Sequence, residues 1–216
     1  MSDPRPCSPT EAIQRAQRIL ADPSNATHGY VYGGGDYRPT TLGGVLRDLP
    51  WTNVGADEGS DCDGFAMWCY KLPRHRAGFN RGFWATVSDD INPNSLIEDA
   101  QHGGELARRV YSPEPGDLLC YPTFYLDGHP MPWIGHVGIV LSTARAGSWN
   151  PAAPYYYLLD IAQCCGGPGR MPAVLATDGY VFDKHNATWP TPLKLRGMTD
   201  AEPKVSVTTV MLRLIP

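Results

Sequence analysis

The chain has 216 residues, 42% hydrophobic and 19% charged, which supplies enough apolar material for one folded domain and argues against charge-driven disorder. Its 18 Lys and Arg against 22 Asp and Glu give a net charge of −4 without a basic stripe, so we expect no nucleic-acid partner. The N-terminus lacks the apolar core of a signal peptide, and no apolar run reaches the roughly 18 residues that span a bilayer. We therefore expect synthesis in the cytoplasm without a signal peptide, and no membrane insertion.

The first predicted element is a helix over residues 9–21. Ser8 fits the N-cap, Pro9 fits the first helical position, and Glu11 completes a capping box. Apolar residues then recur at helical spacing, namely Ala12, Ile13, Ala16, Ile19 and Leu20. This pattern predicts a surface helix with one buried stripe.

A glycine-rich loop is predicted over residues 29–60, and a second helix follows it over residues 61–70. Asp61 is the candidate for the N-cap of this helix. Its apolar face is bulky and comprises Phe65, Trp68 and Cys69. Such a face favours a central helix over a peripheral one.

The second half of the chain is predicted to consist mainly of strands. A further helix is expected within residues 95–110. Segments rich in Leu, Val, Ile or Tyr and bounded by Gly, Pro or Asn then predict strands at 117–121, 136–141, 155–164 and 205–215. Helices followed by strands favour an α+β fold with an antiparallel sheet. We expect a single domain over residues 1–216, in which 166–216, including a segment at 173–179, completes the sheet.

The six cysteines form no C-x-x-C pair and lie mostly in apolar runs, which favours reduced thiols. Cys62 falls in the first turn of the second predicted helix. The unpaired N–H groups and the dipole at a helix start favour negative charge, so this position is predicted to lower the pKa of the thiol. The same N–H groups can form an oxyanion hole for acyl transfer.

His136 begins a predicted strand in which alternate side chains share a face. The apolar face expected to meet the core comprises Val137, Ile139 and Leu141. The other face comprises His136, Gly138 and Val140, and Gly138 leaves room for a second group to approach the imidazole. Cys62 and His136, 74 residues apart, are a candidate nucleophile and base. On spacing alone, an inert buried cysteine and a structural histidine are the more common alternatives.

Four short motifs occur in chain order. They are Tyr30-Val31-Tyr32-Gly33-Gly34, Asp61-Cys62-Asp63-Gly64-Phe65, Pro115-Gly116-Asp117-Leu118-Leu119 and Gly135-His136-Val137-Gly138-Ile139-Val140. Together they resemble the motifs of the NlpC/P60 cysteine peptidases, which are papain-like peptidoglycan hydrolases. The resemblance covers roughly residues 10–165, and the stretch from Trp84 to Pro122 is similar to phage and prophage members. It implies a papain-like fold in which the nucleophile starts a helix packed on a central antiparallel sheet.

The resemblance implies a role for each matching residue. Cys62 matches the nucleophile, and His136 matches the base that activates it. Tyr30 matches a tyrosine whose hydroxyl lies near the nucleophile and, with the N–H at the helix start, holds the oxyanion. Asp61 matches the residue before the nucleophile, where capping of the helix is an equal alternative.

One position departs from the family pattern. Where the family commonly has Ser after the nucleophile, this chain has Asp63. A carboxylate beside the thiol disfavours the thiolate or favours a cationic end on the substrate. Asp63 therefore joins Tyr30 and Asp61 as a candidate oxyanion or substrate-binding residue.

The polar residue that orients His136 is expected from the next strand, where family members use His, Asn, Gln or another polar residue. The candidates are Asp160 and Gln163, which lie on opposite faces of the strand because they are three positions apart. The strand is apolar on both faces, so its pattern leaves both candidates open. We favour Gln163 as the third catalytic residue, because Ile161-Ala162-Gln163-Cys164 resembles the apolar-apolar-polar-Cys pattern of related sequences.

The resemblance implies that the chain hydrolyses an amide bond of the peptidoglycan stem peptide through an acyl-enzyme on Cys62. The bond cut, and hence the choice between endopeptidase and amidase, is left open. No cofactor or metal is expected, since no two ligand types occur at zinc-binding spacings. The absent signal peptide fits a phage lysin or a delivered effector that acts at the cell wall or in the periplasm. We expect a monomer, with an immunity or inhibitor protein as a partner if it is an effector.

Three alternatives stay open at this point. A papain-like acyltransferase would use an alcohol or amine in place of water. A catalytically inactive peptide-binding module would keep the fold without the chemistry. A metal-dependent hydrolase would lose activity to a chelator and not to a thiol alkylator.

Overall fold

The computed structural model describes residues 5–31, 34–35, 37, 40–42, 45–51, 59–74, 91–125, 135–144, 156–165, 172–179, 182, 194–195 and 209–216. These residues form helices and a six-stranded antiparallel sheet, so the α+β class is confirmed. Within these ranges, no helix has both the length and the apolar character needed to cross a membrane.

Helix α1 spans Pro9–Ala21, as predicted. The Ser8 hydroxyl caps it by accepting a hydrogen bond from the Glu11 N–H at 3.2 Å. The Glu11 carboxylate forms an ion pair with Lys71 instead of closing the predicted capping box. The buried stripe comprises Ala12, Arg15, Ala16 and Ile19. Arg15 belongs to this stripe because its guanidinium carbon lies 3.9 Å from the centroid of the Trp68 ring.

Helix α2 spans Cys62–Cys69, and every residue in it is buried. Asp61 is its N-cap, because Asp61 Oδ1 accepts a hydrogen bond from the Gly64 N–H at 2.9 Å. Gly64 is required by a close backbone approach, since a Cβ at this position would lie 2.2 Å from the Gly34 carbonyl oxygen. The apolar side chains of α2 lie in the main hydrophobic core, so the predicted central position of this helix is confirmed.

Helix α3 spans Pro93–Gln101 and is capped by the Asn92 side chain, which accepts hydrogen bonds from two N–H groups of the first turn. The helix expected within 95–110 therefore starts earlier and ends before the second half of that range. The second half contains a strand at Ala107–Val110. The Asp99 carboxylate stabilises the turn between them by accepting hydrogen bonds of 2.8–3.0 Å from the N–H groups of residues 105, 106 and 107.

The described strands are β1 (Gly29–Tyr30), β2 (Thr40–Leu42), β3 (Val45–Arg47), β4 (Gly59–Ser60), β5 (Ala107–Val110), β6 (Leu118–Tyr121), β7 (Phe124–Tyr125), β8 (His136–Ser142), β9 (Asp160–Cys164), β10 (Val174–Asp178), β11 (Lys194–Leu195) and β12 (Val210–Leu214). The main sheet has the order β10-β9-β8-β6-β12-β5, and every neighbouring pair in it is antiparallel. The segment predicted to complete the sheet, 173–179, forms the edge strand β10 next to β9.

Two of the four predicted strands begin later than expected. Strand β9 begins at Asp160, because Tyr156–Leu158 forms a 3-10 turn, while residue 155 lies outside the described part of the chain. Strand β12 begins at Val210, and residues 205–208 also lie outside it. The predicted strands at 117–121 and 136–141 agree with β6 and β8 to within one residue.

The main sheet separates two apolar clusters, which we call the helix-side core and the far-side core. The helix-side core contains buried residues of all three helices together with Val137, Ile139 and Ala162. The far-side core comprises Leu119, Tyr121, Val140, Tyr156, Leu159, Ile161, Phe182 and Met211. The alternation predicted for β8 is therefore confirmed, since Val137 and Ile139 lie on one side and Val140 on the other.

Candidate active site

The Cys62 thiol lies at the buried start of α2, against the first residues of β8. The sulfur is 3.7 Å from Asp63 Oδ1 and 4.0 Å from the Gly135 carbonyl oxygen, its two potential acceptors. The backbone of Val137, the residue after His136, lies close enough to the sulfur to lower the pKa of the thiol. Helix packing thus places the candidate nucleophile beside the main chain on both sides of the candidate base.

The His136 imidazole is held on the far side of the sheet by Gln163. His136 Nε2 and Gln163 Oε1 are 2.7 Å apart. The β8–β9 register, which pairs Ile139 with Ala162, places Gly138 opposite Gln163 and makes His136 its diagonal neighbour on the same face. Asp160 lies at the opposite end of β9, where it pairs with Ser142 and Asp178 in the two ladders. The structure therefore brings Gln163, and not Asp160, to the imidazole.

Cys62 and His136 lie on opposite sides of the sheet, near the end where β8 begins. Cys62 belongs to the helix-side core, while the His136 ring contacts Tyr121 and Phe182 of the far-side core. Among the described contacts, no hydrogen bond joins the sulfur to the imidazole. Hydrogen bonds between catalytic groups often tighten only when substrate binds, so this arrangement is compatible with a nucleophile and its base.

Phe182 covers the imidazole, and the sequence analysis did not identify it. Its ring is stacked on the His136 ring with the centroids 5.6 Å apart. Gly138 makes this possible, because a Cβ there would lie 2.6 Å from Ile161 Cγ2 and 3.3 Å from the Phe182 ring. The second group predicted to approach beside Gly138 is therefore this phenyl ring. Gly138 was the feature of the sequence that indicated space beside the imidazole, but a glycine does not identify the residue that fills this space.

A buried cluster of one basic and two acidic residues lies beside the thiol. Arg74 donates to both oxygens of Asp61, at 3.0 and 2.9 Å, and to the Gly34 carbonyl at 2.9 Å. Its Nη2 also lies 3.0 Å from Asp63 Oδ2, as an ion pair without hydrogen-bond geometry. Sequence reasoning named both carboxylates and missed Arg74. Two acidic residues next to a buried helix start need a cation, which was the signal that could have found it.

Tyr30 lies near Cys62 and the two acidic residues. Strand β1 pairs with β4 in parallel, with Tyr30 opposite Ser60, two residues before Cys62. Burial and the nearby Cys62 and Asp61 raise the pKa of the half-buried Tyr30 well above its ordinary value. The hydroxyl therefore stays protonated and can donate a hydrogen bond.

Comparison with known proteins does not identify the site. No family model, curated protein or solved structure matches the chain. In the part of the chain that the structure describes, no group of three His, Cys, Asp or Glu residues is arranged to hold a metal ion. What the site can do is therefore inferred from its own residues.

The electrostatics of the thiol differ from the sequence prediction. Burial raises the pKa of the Cys62 thiol well above its ordinary value, and the charges of Asp63 and Asp61 raise it further. The Val137 backbone lowers it, but not enough to compensate. The prediction that the helix start lowers this pKa is therefore wrong, while an ionised Asp63 disfavours the thiolate, as expected. The helix dipole lowers the pKa of the thiol by less than full burial and two neighbouring carboxylates raise it.

The imidazole is also neutral at rest. Burial lowers the pKa of His136, and the Gln163 hydrogen bond and the Asp61 charge oppose this effect only in part. The Cys62 thiol and the His136 imidazole are therefore both neutral at neutral pH. A neutral imidazole can accept a proton, as a general base must.

Asp63 is protonated over a wide pH range. Burial and the charge of Asp61 raise its pKa to about 8, against the opposing charge of Arg74. The proximity of the Asp61 carboxylate, which can accept a hydrogen bond from a protonated Asp63, also raises this pKa. One guanidinium neutralises one carboxylate of the pair, so the second carboxylate keeps its proton.

Replacing Asp63 with Asn is expected to stabilise the protein most at alkaline pH. The folded wild type retains a proton on Asp63 up to about pH 8, whereas an unfolded Asp releases it near pH 4, so the wild type loses stability as pH rises through this window. Asn removes that loss, and the variant should exceed the wild type by on the order of 2 kcal/mol at pH 8. The free energy of unfolding in urea, measured from pH 4 to pH 8, checks this.

The matched control is Asp22→Asn. Hydrogen bonds from Ser24 lower the pKa of the half-buried Asp22, so the folded protein does not retain this proton through the window. Asp22→Asn should therefore keep the wild-type slope between pH 4 and pH 8. Equal slopes in the wild type and Asp63→Asn would contradict a proton retained on Asp63.

Proposed function

We propose that this protein is a cysteine peptidase or amidase of the NlpC/P60 type that cleaves an amide bond in the peptide of bacterial peptidoglycan. One observation carries the proposal. The Cys62 sulfur, at a helix start, lies beside the main chain on both sides of His136, whose imidazole is held at 2.7 Å by Gln163. A nucleophile, a base and a group that orients the base are the parts of a cysteine hydrolase.

The first step is activation of the thiol. The neutral imidazole of His136 accepts the proton of the Cys62 thiol as the thiolate attacks the carbonyl carbon of the scissile amide. Because the resting thiol is neutral, proton transfer accompanies attack, and the thiolate does not have to form before the substrate binds. Gln163 stabilises the imidazolium by accepting a hydrogen bond from Nε2.

The second step is collapse of the tetrahedral intermediate. Its oxyanion accepts hydrogen bonds from the Cys62 N–H at the helix start and from the protonated Tyr30 hydroxyl. His136 returns the proton to the leaving amine, the C–N bond breaks, and a thioester remains on Cys62. Water then attacks the thioester, with His136 as the base, and releases the new carboxylate and the free thiol.

The choice of substrate is supported by the sequence motifs. The Tyr30, Cys62 and His136 motifs and the Pro-Gly-Asp turn at 115–117 occur in the order found in cell-wall hydrolases of this type. The α+β fold, with a buried helix packed on an antiparallel sheet, is compatible with the papain-like architecture of those enzymes. We propose the stem peptide as substrate and a monomer that reaches the wall as a phage lysin or a delivered effector.

The proposal is tested by digesting purified peptidoglycan sacculi and analysing the soluble fragments by mass spectrometry. We expect fragments that carry one new amine and one new carboxylate, since hydrolysis of an amide adds one water. Sacculi from species with different stem and bridge peptides identify the bond. Fragments identical to those of untreated sacculi in every preparation would reject the proposed function.

A further inference from the structure

A chain of hydrogen bonds continues beyond Gln163 to the edge strand of the sheet. Gln163 Nε2 donates to Thr177 Oγ1 at 2.5 Å, and Thr177 Oγ1 donates to the Asp178 carbonyl oxygen at 2.9 Å. The β9–β10 register pairs Leu175 with Gln163, so Thr177 is the diagonal neighbour of Gln163 on the same face. The three side chains from β8, β9 and β10 thus form one line across the far side of the sheet.

The direction of each bond in this chain is fixed by chemistry. A carbonyl oxygen only accepts, so the single hydrogen of the Thr177 hydroxyl is donated to Asp178. The hydroxyl oxygen must then accept from Gln163, which turns the NH₂ group of the amide toward Thr177 and the carbonyl oxygen toward His136. That oxygen also only accepts, so His136 Nε2 carries the proton and Nδ1 is left with a free lone pair.

We infer that Thr177 is a positioning residue that sets the orientation of the Gln163 amide and, through it, the tautomer of His136. The inference rests on the proposed function for its catalytic meaning, because a base must present an unprotonated nitrogen to the thiol. Without the hydroxyl, the amide has no partner that distinguishes its two ends. A reversed amide would present its NH₂ group to Nε2 and stabilise the tautomer protonated at Nδ1, which cannot accept a proton there.

Thr177→Val tests this inference, because valine keeps the shape of threonine and removes the hydroxyl. The readout is the ¹⁵N spectrum of the His136 ring above its pKa, where the protonated and unprotonated nitrogens have well-separated shifts. A His136→Gln variant assigns the signals among the six histidines. We expect the wild type to be protonated at Nε2, and Thr177→Val to show a large share of the Nδ1-protonated form.

Two further variants sharpen the test. Thr177→Ser keeps the hydroxyl and should restore the wild-type tautomer. Thr27→Val removes a hydroxyl that donates to the Ser24 carbonyl at 2.9 Å, outside this hydrogen-bond chain, and should leave the His136 spectrum unchanged. On sacculi, Thr177→Val should lower kcat by about tenfold with little change in KM, and Thr177→Ser should recover most of it.

The ¹⁵N spectrum tests the positioning role, and the activity on sacculi tests the proposed function, so the two claims can fail independently. An unchanged His136 tautomer in folded Thr177→Val would overturn the positioning role, whatever the enzyme hydrolyses. A shifted tautomer in a protein that leaves sacculi intact would support the positioning role and reject the proposed function. If Thr177→Val does not fold, the wild-type spectrum decides, since a ring protonated at Nδ1 contradicts the inference.

Discussion

Cys62→Ala is expected to reduce the release of peptide fragments from sacculi by at least about 10⁴-fold, to the level of the uncatalysed background. The thiol supplies the atom that bonds to the substrate. Removing the nucleophile from a group of residues that act together abolishes nearly all of the rate enhancement which that group provides. The loss should appear in kcat, because substrate contacts made elsewhere in the site remain. Steady-state rates on sacculi or on a purified stem peptide provide the measurement.

The control for this variant is Cys69→Ala, which removes a buried thiol from the same helix. Cys69 lies seven residues after Cys62, roughly 10 Å further along the helix axis at about 1.5 Å per residue, and packs in the helix-side core. Its truncation should cost some stability and leave the rate per folded molecule within about a factor of two of the wild type. Comparable activity in Cys62→Ala and the wild type would show that hydrolysis, if present, does not use this thiol.

Arg74→Met is expected to cause the largest loss of stability of any single substitution in the site. Arg74 and Asp61 are both buried, and the guanidinium forms two hydrogen bonds with this carboxylate. Methionine keeps much of the volume and leaves a buried carboxylate without its cation, a change that costs about 3–5 kcal/mol. The urea unfolding curve at pH 7 should shift accordingly.

The same loss should shrink in the triple variant Asp61→Asn/Asp63→Asn/Arg74→Met, because no buried charge then remains. Arg18→Met provides the surface comparison. Arg18 pairs with Asp48 at 3.2 Å with about half of its side chain exposed, so its removal should cost less than about 1 kcal/mol. Equal losses in Arg74→Met and Arg18→Met would mean that the buried cluster is not electrostatically coupled.

The elements that the sequence predicted well are those with local signals. The cap and periodicity of α1 and the N-cap of α2 depend on residues within a few positions of one another, so Ser8 and Asp61 suffice to locate both starts. The start of β9 was placed too early, because tyrosines favour strands by composition while Tyr156–Leu158 forms a tight turn. Composition cannot detect a turn that tertiary contacts impose.

The parts of the site that the sequence missed depend on contacts between distant segments. The choice between Asp160 and Gln163 follows from the β8–β9 register, which the apolar pattern of β9 does not reveal. Phe182 reaches the His136 ring from a segment beyond β10, and Arg74 reaches Asp61 across the start of α2. The thiol pKa was misjudged for the same reason, since a helix start is visible in the sequence and its burial is not.

The covalent intermediate tests the central claim most directly. The wild type is mixed with excess stem peptide, quenched with acid within the first turnovers, digested and mapped by mass spectrometry. The account predicts a thioester-linked acyl fragment on the peptide that contains Cys62, formed much more slowly in His136→Ala. Release of cleaved product with no acyl group on Cys62 at any time, or with the acyl group on another residue, would contradict it.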